Sequence, residues 1–108
     1  MKKLAALFAT TSLVLSLDAS AATFTLINGT SSEISEVYIS SSGDDNWEEN
    51  VIDGYVLPSG NQVNINIPNY QKFDLLIRSS DGGEEDYREF PGNVSSITLE
   101  GAGNSSYQ

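Results

Sequence analysis

Apolar and polar residues alternate along most of the chain after residue 22, which is the pattern of half-buried β-strands. Residues 62–68 show it most cleanly, with apolar side chains at positions 63, 65 and 67. The same pattern occurs in residues 23–28, 71–78 and 95–100, and with one interruption in residues 33–40. Residues 84–90, which are acidic at their start and aromatic at their end, are also expected to form a strand. No stretch of ten residues has helical spacing. The chain is therefore predicted to be all-β: a small antiparallel β-sandwich, Ig-like or similar, of six or seven short strands.

Local departures from this alternation predict further details. Ile34 and Val37 are an odd number of residues apart, so a bulge near Ser35 is needed to keep both on one face. Asn28-Gly29 predicts a tight reversal after the first strand, because both residue types tolerate positive φ. Val51-Ile52 and Tyr55 to Leu57 form either one bent strand or two short ones. The small, polar residues 101–108 are expected to fray.

The first 21 residues have the composition of a secretory signal peptide. Two lysines precede an apolar run over residues 4–17, and Ala19-Ser20-Ala21 provides a small-x-small cleavage site. The run is short for a membrane span. We therefore expect cleavage near Ala21, a periplasmic or secreted location, and a single domain over residues 22–108.

The predicted mature chain is strongly acidic. It retains three basic residues against fourteen acidic ones, a net charge of −11. Such a surface repels nucleic acid and anionic lipid and attracts basic proteins or cations. We therefore expect a basic protein partner, no nucleic acid and no membrane insertion, with the chain a monomer or a weak oligomer.

The most unusual composition lies in residues 38–53, where five carboxylates surround the only tryptophan. Trp47 either anchors a partner or folds back to cap the core, and we favour the cap because a small domain needs its largest side chain. The candidate partner-binding residues are Asp44, Asp45, Trp47, Glu48 and Glu49.

The residue inventory limits the chemistry that the chain can perform. It has no histidine and no cysteine, which excludes Ser-His-Asp and Cys-His nucleophiles and removes the usual zinc and haem ligands. No phosphate-binding glycine motif occurs. We therefore predict that the protein is not an enzyme, has no catalytic residues and has no cofactor, with calcium as the one open possibility.

Calcium takes six to eight oxygen ligands, which two acidic loops could supply. They meet at one end of a sandwich only if Val51-Ile52 and Tyr55 to Leu57 form two separate antiparallel strands. The candidate calcium ligands are Asp44, Asp45, Asp53, Asp81 and Glu84.

Asp74 is expected to form a structural ion pair across two strands. Arg78 lies four residues further along the same strand, about 13 Å away, which is too far for direct pairing. Arg88 or Glu89 on the next strand is the natural partner.

Several structural motifs resemble a family of small exported, uncharacterised bacterial β-proteins. The matching elements are Asn28-Gly29-Thr30, the polar loop with Trp47, Leu57-Pro58-Ser59-Gly60, and Asp81-Gly82 followed by an aromatic residue. Some members carry a lyase name that we interpret as misapplied. Many have a cysteine pair near position 70 and after position 90, which this chain lacks. The resemblance implies a periplasmic sandwich and no activity.

Together these observations favour an exported, acidic, non-catalytic interaction module, of the immunity or inhibitor type, that recognises a basic partner surface. A calcium-binding β-sandwich module using the two acidic loops is the alternative. A structural or coat component assembled through strand edges is the second alternative.

Overall fold

A computed structural model describes residues 14–16 and 22–108 of the chain. The strands of this part are β1 (Val14–Ser16), β2 (Ala22–Asn28), β3 (Ile34–Ser41), β4 (Gln62–Ile67), β5 (Lys72–Ser79), β6 (Glu84–Pro91), β7 (Ser96–Gly101) and β8 (Asn104–Tyr107). No helix long and apolar enough to cross a membrane occurs in the described residues. The predicted leader lies outside them, apart from the three residues of β1.

The strands form two sheets, with the order β1-β4-β2-β7-β8 in one and β3-β5-β6 in the other. Residues 22–108 thus contribute seven strands to a two-sheet β-fold, which confirms the predicted sandwich. Two pairings are parallel rather than antiparallel, β2 with β7 and β1 with β4. From β2 onwards the chain changes sheets four times, between β2 and β3, β3 and β4, β4 and β5, and β6 and β7. These crossings bring β7 beside β2 in the same direction.

The core lies between the sheets and is filled by the inward positions of the alternating strands. Phe24 of β2 contacts Phe73 of β5 across the interface, with ring centroids 5.3 Å apart, and Phe90 of β6 extends this aromatic cluster at 5.8 Å from Phe73. Leu26, Ile65 and Leu99 are each fully buried beside them. Burial of such side chains stabilises the fold by roughly 1.5–3 kcal/mol each.

Two bulges adjust the three-stranded sheet. The pairing of β3 with β5 shifts between Ile34 and Glu36, which confirms the bulge that the sequence predicts. A second shift, between Phe73 and Leu75 of β5, leaves an extra residue on β6. Tyr87 and Phe90 therefore both point inward, although their positions differ by three.

The predicted reversal at Asn28-Gly29 is wrong. Neither residue has positive φ, and β2 and β3 lie in different sheets. The Asn28 amide is buried, where it donates to the carbonyls of Ser32 and Leu57 and accepts from Thr30. Gly29 is needed for space, because a Cβ there would lie 2.7 Å from the carbonyl oxygen of Leu99.

The expectation of a frayed tail over residues 101–108 is also wrong. Asn104–Tyr107 pairs with β7 as an antiparallel strand. The connection adopts positive φ at Gly101, Ala102 and Gly103, which permits a tight turn. Gln108 completes the pairing through hydrogen bonds with Ser96.

Candidate functional site

Residues 42–61, called the acidic loop below, connect β3 to β4 and contain the candidate partner-binding residues. Neither of the short strands expected in this segment forms a strand of a sheet. Val51 and Ile52 are buried in a turn closed by Asn50 and Gly54, and Leu57 forms an isolated bridge with Ile34. The side chains of Val51, Ile52 and Leu57 pack in the core, and these residues do not form strands of a sheet.

Hydrogen bonds from backbone N–H groups hold the acidic loop along the outer edge of β3. Val51 N–H donates to the Val37 carbonyl at 2.8 Å, and Val37 N–H donates to Asn50 Oδ1 at 2.9 Å. Nearer the start of the loop, Asn46 N–H donates to Ser40 Oγ at 3.0 Å. The loop therefore covers a strand edge that would otherwise be open, and its course is fixed at several points.

Arg88 on β6 ties the start of the acidic loop to the sheet. Its Nη1 lies 2.5 Å from Asp45 Oδ1 and 3.0 Å from Asp74 Oδ2, and its Nη2 lies 2.8 Å from Asp86 Oδ2. The guanidinium group also sits over the Trp47 ring, 5.5 Å from its centroid. These five residues, called the Arg88 cluster below, join β5, β6 and the loop. Their carboxylates raise the pKa of Arg88.

Asp74 is the buried member of the Arg88 cluster, with a side chain only 2% exposed. Its Oδ1 accepts from Ser42 Oγ at 2.7 Å and from Glu89 N–H at 2.8 Å. Burial raises the pKa of Asp74, but these bonds, with those from Arg88 and Gly43 N–H, outweigh it and leave the pKa below its usual value. The predicted cross-strand pair between Asp74 and Arg88 is thus confirmed.

The expectation that Trp47 caps the core is wrong. The side chain is half-buried and lies outside the described apolar core, against Arg88. Tyr70 instead packs against the core edge, with its ring centroid 6.4 Å from that of Phe73. The Arg88 cation over the indole face holds the Trp47 ring at the surface.

The remaining candidate partner-binding residues stay exposed to solvent. Asp44, Glu48 and Glu49 are all exposed, and Glu48 accepts a bond from the Asn46 side chain at 2.9 Å. Asp44 and Glu48 border a small cavity of about 60 Å³ beside Tyr70. Burial, together with these two carboxylates, raises the pKa of Tyr70. The structure thus gathers a negatively charged surface at this end of the sandwich.

The five candidate calcium ligands do not come together. Asp44 and Asp45 follow the Ser41 end of β3, whereas Asp81 and Glu84 lie beyond the opposite end, where Ile34 pairs with Ser79. A strand of eight residues separates these ends by about 25 Å. Within the described residues, no group of three acids is placed to hold a metal ion.

The acids at that opposite end are engaged in local bonds. They border a cleft of about 360 Å³ whose floor includes Ile77 and Tyr87. Asp81 accepts from Gly83 N–H at 3.0 Å, Glu85 accepts from the Tyr87 hydroxyl, and Glu100 accepts from Ser106. These bonds lie within the β5–β6 and β7–β8 hairpins.

The acidic residues and Trp47 stand out in the sequence, whereas the central position of Arg88 among them does not. A signal was present, because only three basic residues remain after residue 22. With so few cations, each one is expected to attract several carboxylates.

Comparisons with known proteins give the fold and no further assignment. No family model matches the chain, and none of the curated proteins is detectably similar to it. Among solved structures, the chain is similar to a protein from Eubacterium rectale determined by NMR, with 13% sequence identity and a TM-score of 0.53. The match covers 84% of this chain and 88% of that one. It supports the arrangement of two packed sheets.

Proposed function

We propose that the chain is an exported, non-catalytic interaction module that recognises a basic protein surface through the acidic loop. The observation that carries this proposal is the Arg88 cluster. It anchors the loop on the sheet through Asp45 and Trp47, while Asp44, Glu48 and Glu49 remain exposed.

The charge of the loop favours a basic partner. Residues 42–61 contain five acidic residues and no lysine or arginine. Long-range attraction from such a surface accelerates encounter with a basic partner and weakens as salt screens it. An immunity or inhibitor protein that masks a basic site on its target uses this chemistry.

The hydrogen bonds along β3 support recognition by a loop that is ordered before binding. A loop of twenty residues pays a large entropic cost if it orders only when a partner arrives. Anchoring at Asn46, Val51 and Leu57 removes part of that cost. The absence of histidine and cysteine from the sequence supports a binding role without catalysis.

Site-specific photo-crosslinking in expressing cells can identify the partner. A photoreactive residue at Glu49 is expected to capture a basic protein, whereas one at Glu100, at the other end of the sandwich, is not. The affinity of the purified partner is then measured for the triple variant D44N/E48Q/E49Q and for a matched control, D81N/E85Q/E100Q, which removes the same charge elsewhere.

The proposal predicts that the loop variant binds at least about tenfold more weakly than the wild type, while the control changes affinity about twofold or less. Wild-type affinity should also fall steeply between about 50 and about 500 mM NaCl. Equal losses for both triple variants, or a partner captured only from Glu100, would contradict recognition through the acidic loop.

A further inference from the structure

The outer edge of β4 holds a strand from the predicted leader. β1 (Val14–Ser16) runs parallel to β4 at the end of the five-stranded sheet, with Val14 opposite Asn64 and Leu15 opposite Ile65. If the leader is cleaved near Ala21, β1 leaves with it. β4 then becomes the edge strand of the mature sheet.

The hydrogen-bond direction shows what this edge offers. Asn28 N–H of β2 donates to the Asn61 carbonyl, and β2 and β4 remain in regular antiparallel register from that point. Backbone groups of a strand alternate in direction, so those of Val63 and Ile65 face β2. The backbone N–H and C=O of Gln62 and Asn64 therefore point outward, to the side that β1 occupies.

The β4 edge carries none of the usual protections against strand addition. The strand has no charged residue, no proline and no register shift against β2. The edge strand β6, in contrast, contains five charged residues within residues 84–89. An uncharged, regular edge is suited to accept another strand.

We propose that the mature protein binds an extended strand of a partner protein at the β4 edge, parallel to β4 and in the place of β1. The proposal rests on the export and cleavage proposed above. The occupant is uncharged over the paired residues and has an apolar residue opposite Ile65, as β1 has at Leu15. A second copy of this chain is a poorer occupant, because each mature chain carries a charge of −11.

The test uses the processed protein, exported by expressing cells and purified, with a labelled peptide of residues 11–18 as the probe. Intact mass first shows whether the leader has been removed from the 11.6 kDa chain. Fluorescence anisotropy then measures peptide binding, and amide NMR shifts show where the peptide binds. The expected result is saturable binding with shifts concentrated at Asn64 and Asn66, the outward-facing residues that pair with β1.

A protein variant and a modified peptide each remove a backbone hydrogen bond at the β4 edge, one from the protein and one from the peptide. Asn64→Pro deletes the outward N–H of Asn64, and a peptide with N-methylated Leu15 deletes the donor that faces the Asn64 carbonyl, without altering the protein's fold. Asn64→Ala is the matched control, because it loses only the side-chain bond from Thr25. Proline and N-methylation should each weaken binding about tenfold or more, and alanine about twofold or less.

Each failure has a distinct signature. An uncleaved chain overturns the proposed export and leaves β1 in place. A cleaved chain that shows no saturable binding at about 1 mM peptide, or binds the N-methylated peptide equally well, overturns the edge proposal alone. Dimerisation of the cleaved chain that Asn64→Pro abolishes would identify a second copy as the occupant and overturn the assignment to a partner protein.

Discussion

Two arginines on neighbouring strands hold clusters of similar composition, and the two clusters differ in one buried carboxylate. Arg78 on β5 pairs with Glu36 and Glu84 and lies 5.5 Å from the Tyr38 ring centroid. Arg88 on β6 lies at the same distance from Trp47. The two arginine side chains are similarly exposed, at 46% and 42%.

The difference lies in what each arginine reaches. The carboxylates around Arg78 are 35% and 52% exposed, whereas Asp74 beside Arg88 is 2% exposed. Exposed ion pairs are screened by water and contribute little to folding stability. A buried carboxylate, in contrast, destabilises the fold if any of the donors that compensate its lost hydration is removed. Two clusters of similar residues therefore have different roles. The Arg78 cluster is a set of exposed ion pairs at one end of the sheet, whereas the Arg88 cluster anchors a loop at the other end.

Removing the buried charge should have the largest effect. Asp74→Asn places an amide NH₂ among four donors, which it cannot satisfy, so we expect a loss of about 3 kcal/mol in the free energy of unfolding. Glu36→Gln, the counterpart in the Arg78 cluster, should cost far less. Urea denaturation at pH 7 measures both, and equal losses would remove the distinction between the clusters.

Removing the cation should have the next largest effect. Arg88→Ala leaves Asp74 with its other donors and is expected to cost about 2 kcal/mol, after allowance for the exposure of the arginine. It should also shift the fluorescence of Trp47, the only tryptophan, to longer wavelength as the ring gains solvent. Arg78→Ala should leave the emission unchanged, so a red shift in both variants would argue against a specific contact.

Acid should weaken the Arg88 cluster in a defined pH range. The folded-state pKa of Asp74 is lowered from 3.8, so its charge stabilises the fold above about pH 4, and this contribution is lost as pH falls through the folded pKa. Within that range, the stability gap between wild type and Asp74→Asn should narrow by up to about 1.4 kcal/mol per pH unit. A gap that stays constant from pH 7 to about pH 2 would contradict a lowered pKa.

The smallest effect concerns the bulge that brings Glu89 N–H to Asp74. Glu89 has φ of 62°, in the left-handed region, and only an exposed pair with Lys72 at 3.6 Å. Glu89→Gly relieves a backbone strain of about 1–2 kcal/mol. Glycine also loses about 0.5–1 kcal/mol more conformational entropy on folding, so the net stabilisation should be only about 0.5 kcal/mol. Thermal melts measure the stability of this variant and of Glu85→Gly. Because Glu85 lies in a regular part of β6, Glu85→Gly should destabilise the fold.

Local patterns predicted the parts of the fold that depend on neighbouring residues. Alternation located β2, β4 and β5, and the spacing of Ile34 and Val37 located the bulge, because side-chain direction in a strand has a period of two. The cross-strand pair of Asp74 with Arg88 followed from the same geometry.

The features that the sequence pattern does not predict depend on contacts between residues far apart in the sequence. The parallel pairing of β2 with β7 follows from changes of sheet that no local pattern records. Val51 and Ile52 look like a strand because both strands and core-filling turns need apolar residues. The position of Trp47 depends on a cation forty-one positions away in the sequence, on a strand of the sheet.

Hydrogen–deuterium exchange of the loop amides tests most directly whether Arg88 fixes the acidic loop. If Arg88 fixes the loop, Arg88→Ala accelerates exchange at Asn46, beside the cluster, by about tenfold or more, while exchange at Leu57, bonded to Ile34, is unaffected. Arg78→Ala should leave both amides protected. Unchanged exchange at Asn46 in Arg88→Ala would show that the loop keeps its shape without the arginine, and would contradict anchoring of the loop by Arg88.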